Sequence, residues 1–223
     1  MQDILYPLLA ALAAYLLGSL SFAVIISRVM GLSDPRSYGS GNPGATNVLR
    51  SGNKKAAVLT LLFDALKGVL PVLAVHFWGE RLGLGEDSAA LVGLAAFVGH
   101  LWPVFFRFQG GKGVATAAGV LLALNPLLGG ATLACWLAVA YVTRYSSLAA
   151  LCAALFAPFF QMLVWGGSPS VLAVGLMSLL LIWRHESNIK KLLAGTESKL
   201  GSKAKAASAA DAKHSSKPKA SRK

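Results

Sequence analysis

The sequence predicts an all-α fold: a polytopic membrane helical bundle of seven transmembrane spans, N-terminus outside and C-terminus cytoplasmic. Three observations predict it. Hydrophobic residues make up 55% of the 223 and charged residues only 13%, too few to cover a soluble domain of this length. The apolar residues fall in long runs, as over 4–26, and about 20 such residues match the hydrocarbon thickness of a bilayer. The charges between the runs are segregated by side.

The spans are expected near 4–27, 57–78, 88–106, 114–128, 129–143, 147–165 and 169–184. The first begins with Asp3 and lacks the basic start of a signal peptide, so it is read as retained. The fourth and fifth are short and meet near Asn125-Pro126, where a turn is expected. A single kinked segment there would leave six spans, and charge decides between the counts. With seven, one set of loops holds eleven basic residues from Arg28 to Lys191, while the other holds only Arg81, beside Glu80, Glu86 and Asp87. Six spans would put either the loop carrying Arg36, Arg50, Lys54 and Lys55 or the basic C-terminus outside, against the positive-inside bias. The membrane domain is therefore read as 1–198. Residues 199–223 form a basic cytoplasmic tail that carries seven of the twelve net positive charges. From Gly201 on the tail is rich in Ala, Ser and Lys without bulky apolar residues, so it is expected to be disordered. Beside a membrane, its simplest partner is anionic lipid headgroups; no specific nucleic acid is expected.

Three polar loops, over 33–55, 106–113 and 184–199, fall on the same predicted side, so residues distant in sequence converge there. The first contains Ser40, Gly41, Asn42, Gly44, Thr46, Asn47 and Arg50, a backbone able to wrap an anion, with a guanidinium to pair with phosphate. The second, Gly110-Gly111-Lys112-Gly113, opens a helix, where free N–H groups and the helix dipole attract phosphate. It is no nucleotide-hydrolysing loop, because no Ser or Thr directly follows Lys112 to hold magnesium and no strand precedes it. In the third, His185 and Asn188 stand three apart and share a helical face.

Within the spans, Asp64 and Lys67 are also three apart and are read first as a mutual ion pair, second as site contacts. His100 precedes the Trp102-Pro103 break, and His76 and His214 are read as bystanders. Cys135 and Cys152 lie in apolar runs without metal or redox spacing. The loops together describe a phosphate-binding pocket, possibly for two phosphates, at the edge of a lipid-embedded bundle. One phosphorylated, water-soluble substrate would meet one lipidic substrate there.

In this order, the motifs Ser40-Gly41-Asn42 through Arg50, Gly99-His100 through Thr116, and His185 through Glu197 resemble the bacterial acyl-phosphate:glycerol-3-phosphate acyltransferase family. The resemblance runs from the first span to about residue 200. It implies a bacterial cell inner membrane enzyme with its site on the cytoplasmic side. The implied reaction moves a fatty acyl group from acyl phosphate to the 1-hydroxyl of sn-glycerol 3-phosphate, with no cofactor or metal. Carried over, Ser40, His185 and Asn188 are the implied catalytic residues. Arg50, Lys112, Gly110, Gly111, Gly113, Asn42, Thr46, Asn47 and Ser147 are the implied substrate- or phosphate-binding ones, and Glu197 is structural. Whether His185 is a base or a phosphate ligand stays open. Lys191 stands where the family often has arginine, which keeps the charge and loses the planar fork. An organophosphate transporter is the alternative reading, but no repeat with broken midplane helices is visible. A His-x-x-x-x-Asp acyltransferase is disfavoured, since no histidine has Asp five residues on.

Overall fold

The computed structural model describes residues 2–200, and among them all regular structure is helical. Most of the expected tail, with His214, lies outside the described residues. The principal helices are α1 (Gln2–Gly18), α2 (Phe22–Val29), α3 (Ala45–Leu49), α4 (Lys54–Trp78) and α5 (Glu86–Leu101), followed by α6 (Val114–Leu124), α7 (Pro126–Thr143), α8 (Ser146–Trp165), α9 (Pro169–Arg184) and α10 (Glu186–Leu193). Among the described residues, four helical segments, containing α4, α5, α7 and α8, are long and apolar enough to cross a membrane, and the bent pair α1–α2 makes a fifth if counted as one. Apolar α6 and α9 are shorter. At about 1.5 Å per residue, eleven-residue α6 falls well short of the roughly 30 Å hydrocarbon core.

The first span departs from expectation, for it is not one helix over 4–27 but two, bent by 40° at residues 19–21. Ser19 turns its hydroxyl back onto the Tyr15 carbonyl (2.8 Å), and the Leu20 carbonyl leaves the helix to accept from Lys67 Nζ (2.7 Å). Freed backbone is tolerated within a membrane only when protein or water satisfies it, and here Lys67 does so. The expected fourth and fifth spans are separate helices packed against each other, and their break falls at Asn125, in the expected turn and a few residues before the 128/129 limit given to the spans. The Asn125 side chain accepts from the backbone of Leu127 (2.9 Å) and Leu128 (3.1 Å), and Pro126 opens α7 without needing a donor.

Helix α5 is the hub and packs on α1, α4, α6 and α9. Its Val92, Ala96, Phe97 and Leu101 are buried with Val72 of α4 and Val120 of α6. Lipid tails are as apolar as leucine, so helices in a membrane associate through close packing and polar contacts, favouring small residues. Helices α4 and α6 obey this rule: Gly68 lies on the Thr116 carbonyl and Gly119 on that of Ala65, and a Cβ at either would overlap backbone. The outer faces carry exposed Leu8 and Leu12, Leu62 and Leu66, Phe159 and Leu163, and Leu172 and Leu179, the surface a lipid-embedded body presents. This packing brings the α2–α4 segment, the α5–α6 segment and α9–α10 to one end of the bundle.

Candidate active site

The first segment is folded by one amide. Asn47 of α3 is 2% exposed; its Nδ2 donates to the carbonyls of Pro35 (2.6 Å) and Tyr38 (3.1 Å), and its Oδ1 accepts from the Ser40 backbone N–H (2.9 Å). Arg50 Nη1 approaches the same oxygen at 3.5 Å. Ahead of this, Asp34 clasps Arg36 through both carboxylate oxygens (2.6–3.1 Å), which lowers the Asp34 pKa and raises that of Arg36. Asn47, expected to bind phosphate, is therefore a loop-shaping residue, because both ends of its amide are engaged. Asn47→Ala would orphan three backbone groups. We expect a loss of about 2–3 kcal/mol in thermal unfolding and faster proteolysis within 35–42; wild-type unfolding and proteolysis would refute this part.

The second segment leaves α5 through Trp102-Pro103 and passes left-handed Arg107 and Phe108 before the glycine loop. Gly113 (φ 82) lies against the Phe97 ring, where a Cβ would overlap the ring, so the turn into α6 needs glycine twice over. The Gly111 N–H is spent on the His100 carbonyl (3.1 Å). Arg184, at the end of α9, donates to the carbonyls of Gly110 (Nη2, 2.9 Å) and Gly111 (Nε, 3.2 Å) and so braces the loop from the third segment.

Lys112 projects from this loop and donates to Asn188 Oδ1 on α10. The Asn188 Nδ2 donates to Glu197 Oε1 (2.6 Å), and Ser147 at the start of α8 donates to the same oxygen (2.7 Å). Glu197 is held there because the described chain end returns to the α7–α8 turn, where the Leu200 N–H donates to the Arg144 carbonyl (2.6 Å). Burial pushes the Lys112 pKa down to about 8; Glu197 opposes this, and the cations Lys191, Arg184 and Arg50 add to it. A substrate phosphate would relieve this crowding of positive charge. His185 is 3% exposed with Nδ1 2.8 Å from the Leu181 carbonyl, and burial lowers its pKa to about 4. It is thus neutral near pH 7, with Nδ1 donating and Nε2 left as an acceptor.

These segments surround a cavity of about 260 Å³ lined by Ser40, Gly41, Asn42, Gly110, Lys112, Arg184, Ser187, Asn188 and Lys191. That is small against the roughly 300–1,000 Å³ of drug-sized sites and suits a compact polar substrate. Of the residues singled out in the sequence, Ser40, Gly41, Asn42, Gly110, Lys112 and Asn188 line it. Asn47, Gly111, Gly113, His185, Ser147 and Glu197 stand behind the wall, and Thr46 is exposed and does not line it. Sequence reasoning missed Arg184, Ser187 and Lys191 as lining residues. Their signal was available, since with Asn188 they repeat at intervals of three or four from 184 to 191, one face of a helix. A larger recess, about 620 Å³, is lined by Arg28, Arg36, Arg107 and Gln109 among others and by none of the candidate residues. The smaller cavity is preferred as the site because the three motifs meet there. Among the described residues, no group of three or more His, Cys, Asp or Glu could hold a metal ion.

The family model described as glycerol-3-phosphate acyltransferase matches residues 8–195. A glycerol-3-phosphate acyltransferase of Paraburkholderia phytofirmans is 65% identical over 203 residues, covering 91% of this chain and 95% of the relative. One of Ralstonia pickettii is 63% identical over 207 residues, covering 93% and 100%. The crystal structure of PlsY (YgiH), an integral membrane glycerol 3-phosphate acyltransferase in its glycerol 3-phosphate form, matches with a TM-score of 0.81 and 39% identity, over 88% of this chain and 96% of that one. Its lysophosphatidic acid form matches over the same shares with a TM-score of 0.79 and 38% identity.

Proposed function

The chain belongs to the glycerol-3-phosphate acyltransferase family, and from that membership we propose how its site works, which donor it uses and how it sits in the membrane. It is an integral membrane enzyme that acylates glycerol 3-phosphate. The observation that carries the mechanism is the cavity where Lys112, Arg184 and Lys191 converge beside Ser40 and Asn188. Clustered cations beside a lipid-facing surface suit a reaction between a small phosphate ester and an acyl chain in the bilayer.

The proposed donor is acyl phosphate, whose good leaving group removes the need for a covalent enzyme intermediate. The 1-hydroxyl oxygen of glycerol 3-phosphate attacks the acyl carbonyl carbon, the carbon–oxygen bond to phosphate breaks, and the hydroxyl proton passes to a phosphate oxygen. The products are lysophosphatidate and inorganic phosphate. Lys112, Lys191 and Arg184 hold phosphate charge, and Arg50, outside the cavity lining, adds positive charge felt at Lys112; Ser40 and Asn42 orient the hydroxyl, and Asn188 keeps Lys112 directed into the cavity. His185, neutral in the free protein and held through Nδ1 at the Leu181 carbonyl, leaves Nε2 to accept a hydrogen bond. Purified protein given radiolabelled glycerol 3-phosphate should form lysophosphatidate with palmitoyl phosphate and not with palmitoyl-CoA. Product from the CoA ester alone would overturn the donor.

The proposed placement is the bacterial inner membrane, with α1–α2, α4, α5, α6, α7, α8 and α9 as seven spans or part-spans and the site on the cytoplasmic side. The basic residues of the three loops support it through the positive-inside bias. In a Cys135→Ala, Cys152→Ala background, an impermeant maleimide added to spheroplasts should label Glu86→Cys and spare Ser51→Cys. The reverse pattern would invert the topology.

A further inference from the structure

A line of buried polar groups runs from the break in the first span to the glycine loop. Lys67 is 1% exposed; besides its bond to the Leu20 carbonyl, its Nζ lies 2.9 Å from Asp64 Oδ1. The same Asp64 oxygen faces His100 Nδ1 at 3.6 Å, with neither of these two atoms in a formed hydrogen bond. The opposite ring nitrogen of His100, Nε2, rests against Gly111 so closely that a Cβ there would overlap it, while the His100 carbonyl accepts from the Gly111 N–H. Thr116 Oγ1, in the first turn of α6, donates to the Asp64 carbonyl at 2.9 Å. The segment 111–116 is thus pinned at both ends to this line, and Lys112 lies between the pins.

None of the three ionisable side chains lines the cavity, and the reaction uses none of them. A buried ion pair is a poor means of stabilisation, since well-packed apolar residues of similar volume often serve as well or better. What such a pair supplies is a directional constraint, and here its far end is the ring against Gly111. We propose that Asp64, Lys67 and His100 are positioning residues for acyl transfer: anchored on the Leu20 carbonyl at the α1–α2 break, they set the depth of the glycine loop and hence the reach of Lys112. This rests on the reading of Lys112 as a phosphate ligand.

The test uses the full chain in detergent, with steady-state kinetics, thermal unfolding and amide hydrogen exchange. His100→Asn keeps a donor near the Nδ1 position and deletes the ring edge against Gly111. It should raise the KM for glycerol 3-phosphate at least tenfold, with a smaller change in kcat. Exchange should quicken over 110–116 and not across α4 and α5, and unfolding should shift by only a few degrees. Asp64→Asn alone strands Lys67, so the paired variant Asp64→Asn/Lys67→Met, which removes both charges, is the companion; it should fold and show the same rise in KM. Wild-type KM and exchange in either folded variant, with KM raised in Lys112→Ala, would overturn the proposal and spare the phosphate reading. Wild-type KM in Lys112→Ala would overturn both.

Discussion

Lys112→Ala is expected to lower kcat/KM for glycerol 3-phosphate by about 10²–10³-fold, the range found when a single preorganised donor to a developing or bound anion is removed. The residue is the cation that the glycine loop carries into the cavity. Its surroundings also predict the pH dependence. Phosphate binding needs the protonated amine, and burial has brought the pKa down to about 8. As pH rises through 8, the free enzyme loses that proton, so kcat/KM should fall with a limiting slope of minus one. A bound phosphate stabilises the ammonium, so the limb in kcat should lie at higher pH. Lys112→Arg keeps a charge that no accessible pH removes. It should be less active than the wild type, since the guanidinium is bulkier, but should lack this alkaline limb. An unaltered limb in that variant would show that another group controls the titration.

The second large effect is expected at Glu197, near the end of the third loop and absent from the cavity wall. Glu197→Ala leaves Asn188 Nδ2 and Ser147 Oγ without their shared acceptor, and both residues are buried. Hydrogen bonds to a charged group contribute about 1.5–3 kcal/mol each, so thermal unfolding should drop by several degrees. Activity should fall at least a hundredfold, because Asn188 would no longer hold Lys112. Glu197→Gln separates the two functions. Its amide oxygen still accepts from both partners, so most of the stability should return. The charge that raises the Lys112 pKa is gone, so the alkaline limb should move below pH 8. Wild-type unfolding in Glu197→Ala, or an unmoved limb in Glu197→Gln, would remove Glu197 from this role.

The three loops were legible in the sequence because each concentrates Gly, Asn, Ser and a cation in a short polar stretch between apolar runs. What those stretches did not reveal is which way each amide turns. Asn47 and Asn42 are alike in composition terms, yet one folds the loop with its whole side chain while the other lines the cavity. Arg184 carried a generic topological charge until the fold set it on the carbonyls of Gly110 and Gly111, more than seventy residues earlier. The broken first span was equally hidden, since Ser19-Leu20-Ser21 sits inside a run over 4–26 that is otherwise mostly apolar.

By itself, then, the sequence determined the membrane class, the all-helical character and the three polar loops that meet at the cavity. These depend on hydropathy summed over about 20 residues and on residue types within one turn or loop, and both are local quantities. Only the tertiary structure decided the division between residues that line the cavity and residues that hold those in place. A donor or acceptor can serve the substrate only if no protein group has already claimed it. For Asn47, Asn188 and Glu197 that claim is made by neighbours which only the folded chain brings together, whereas His185 is claimed within its own helical turn by the Leu181 carbonyl.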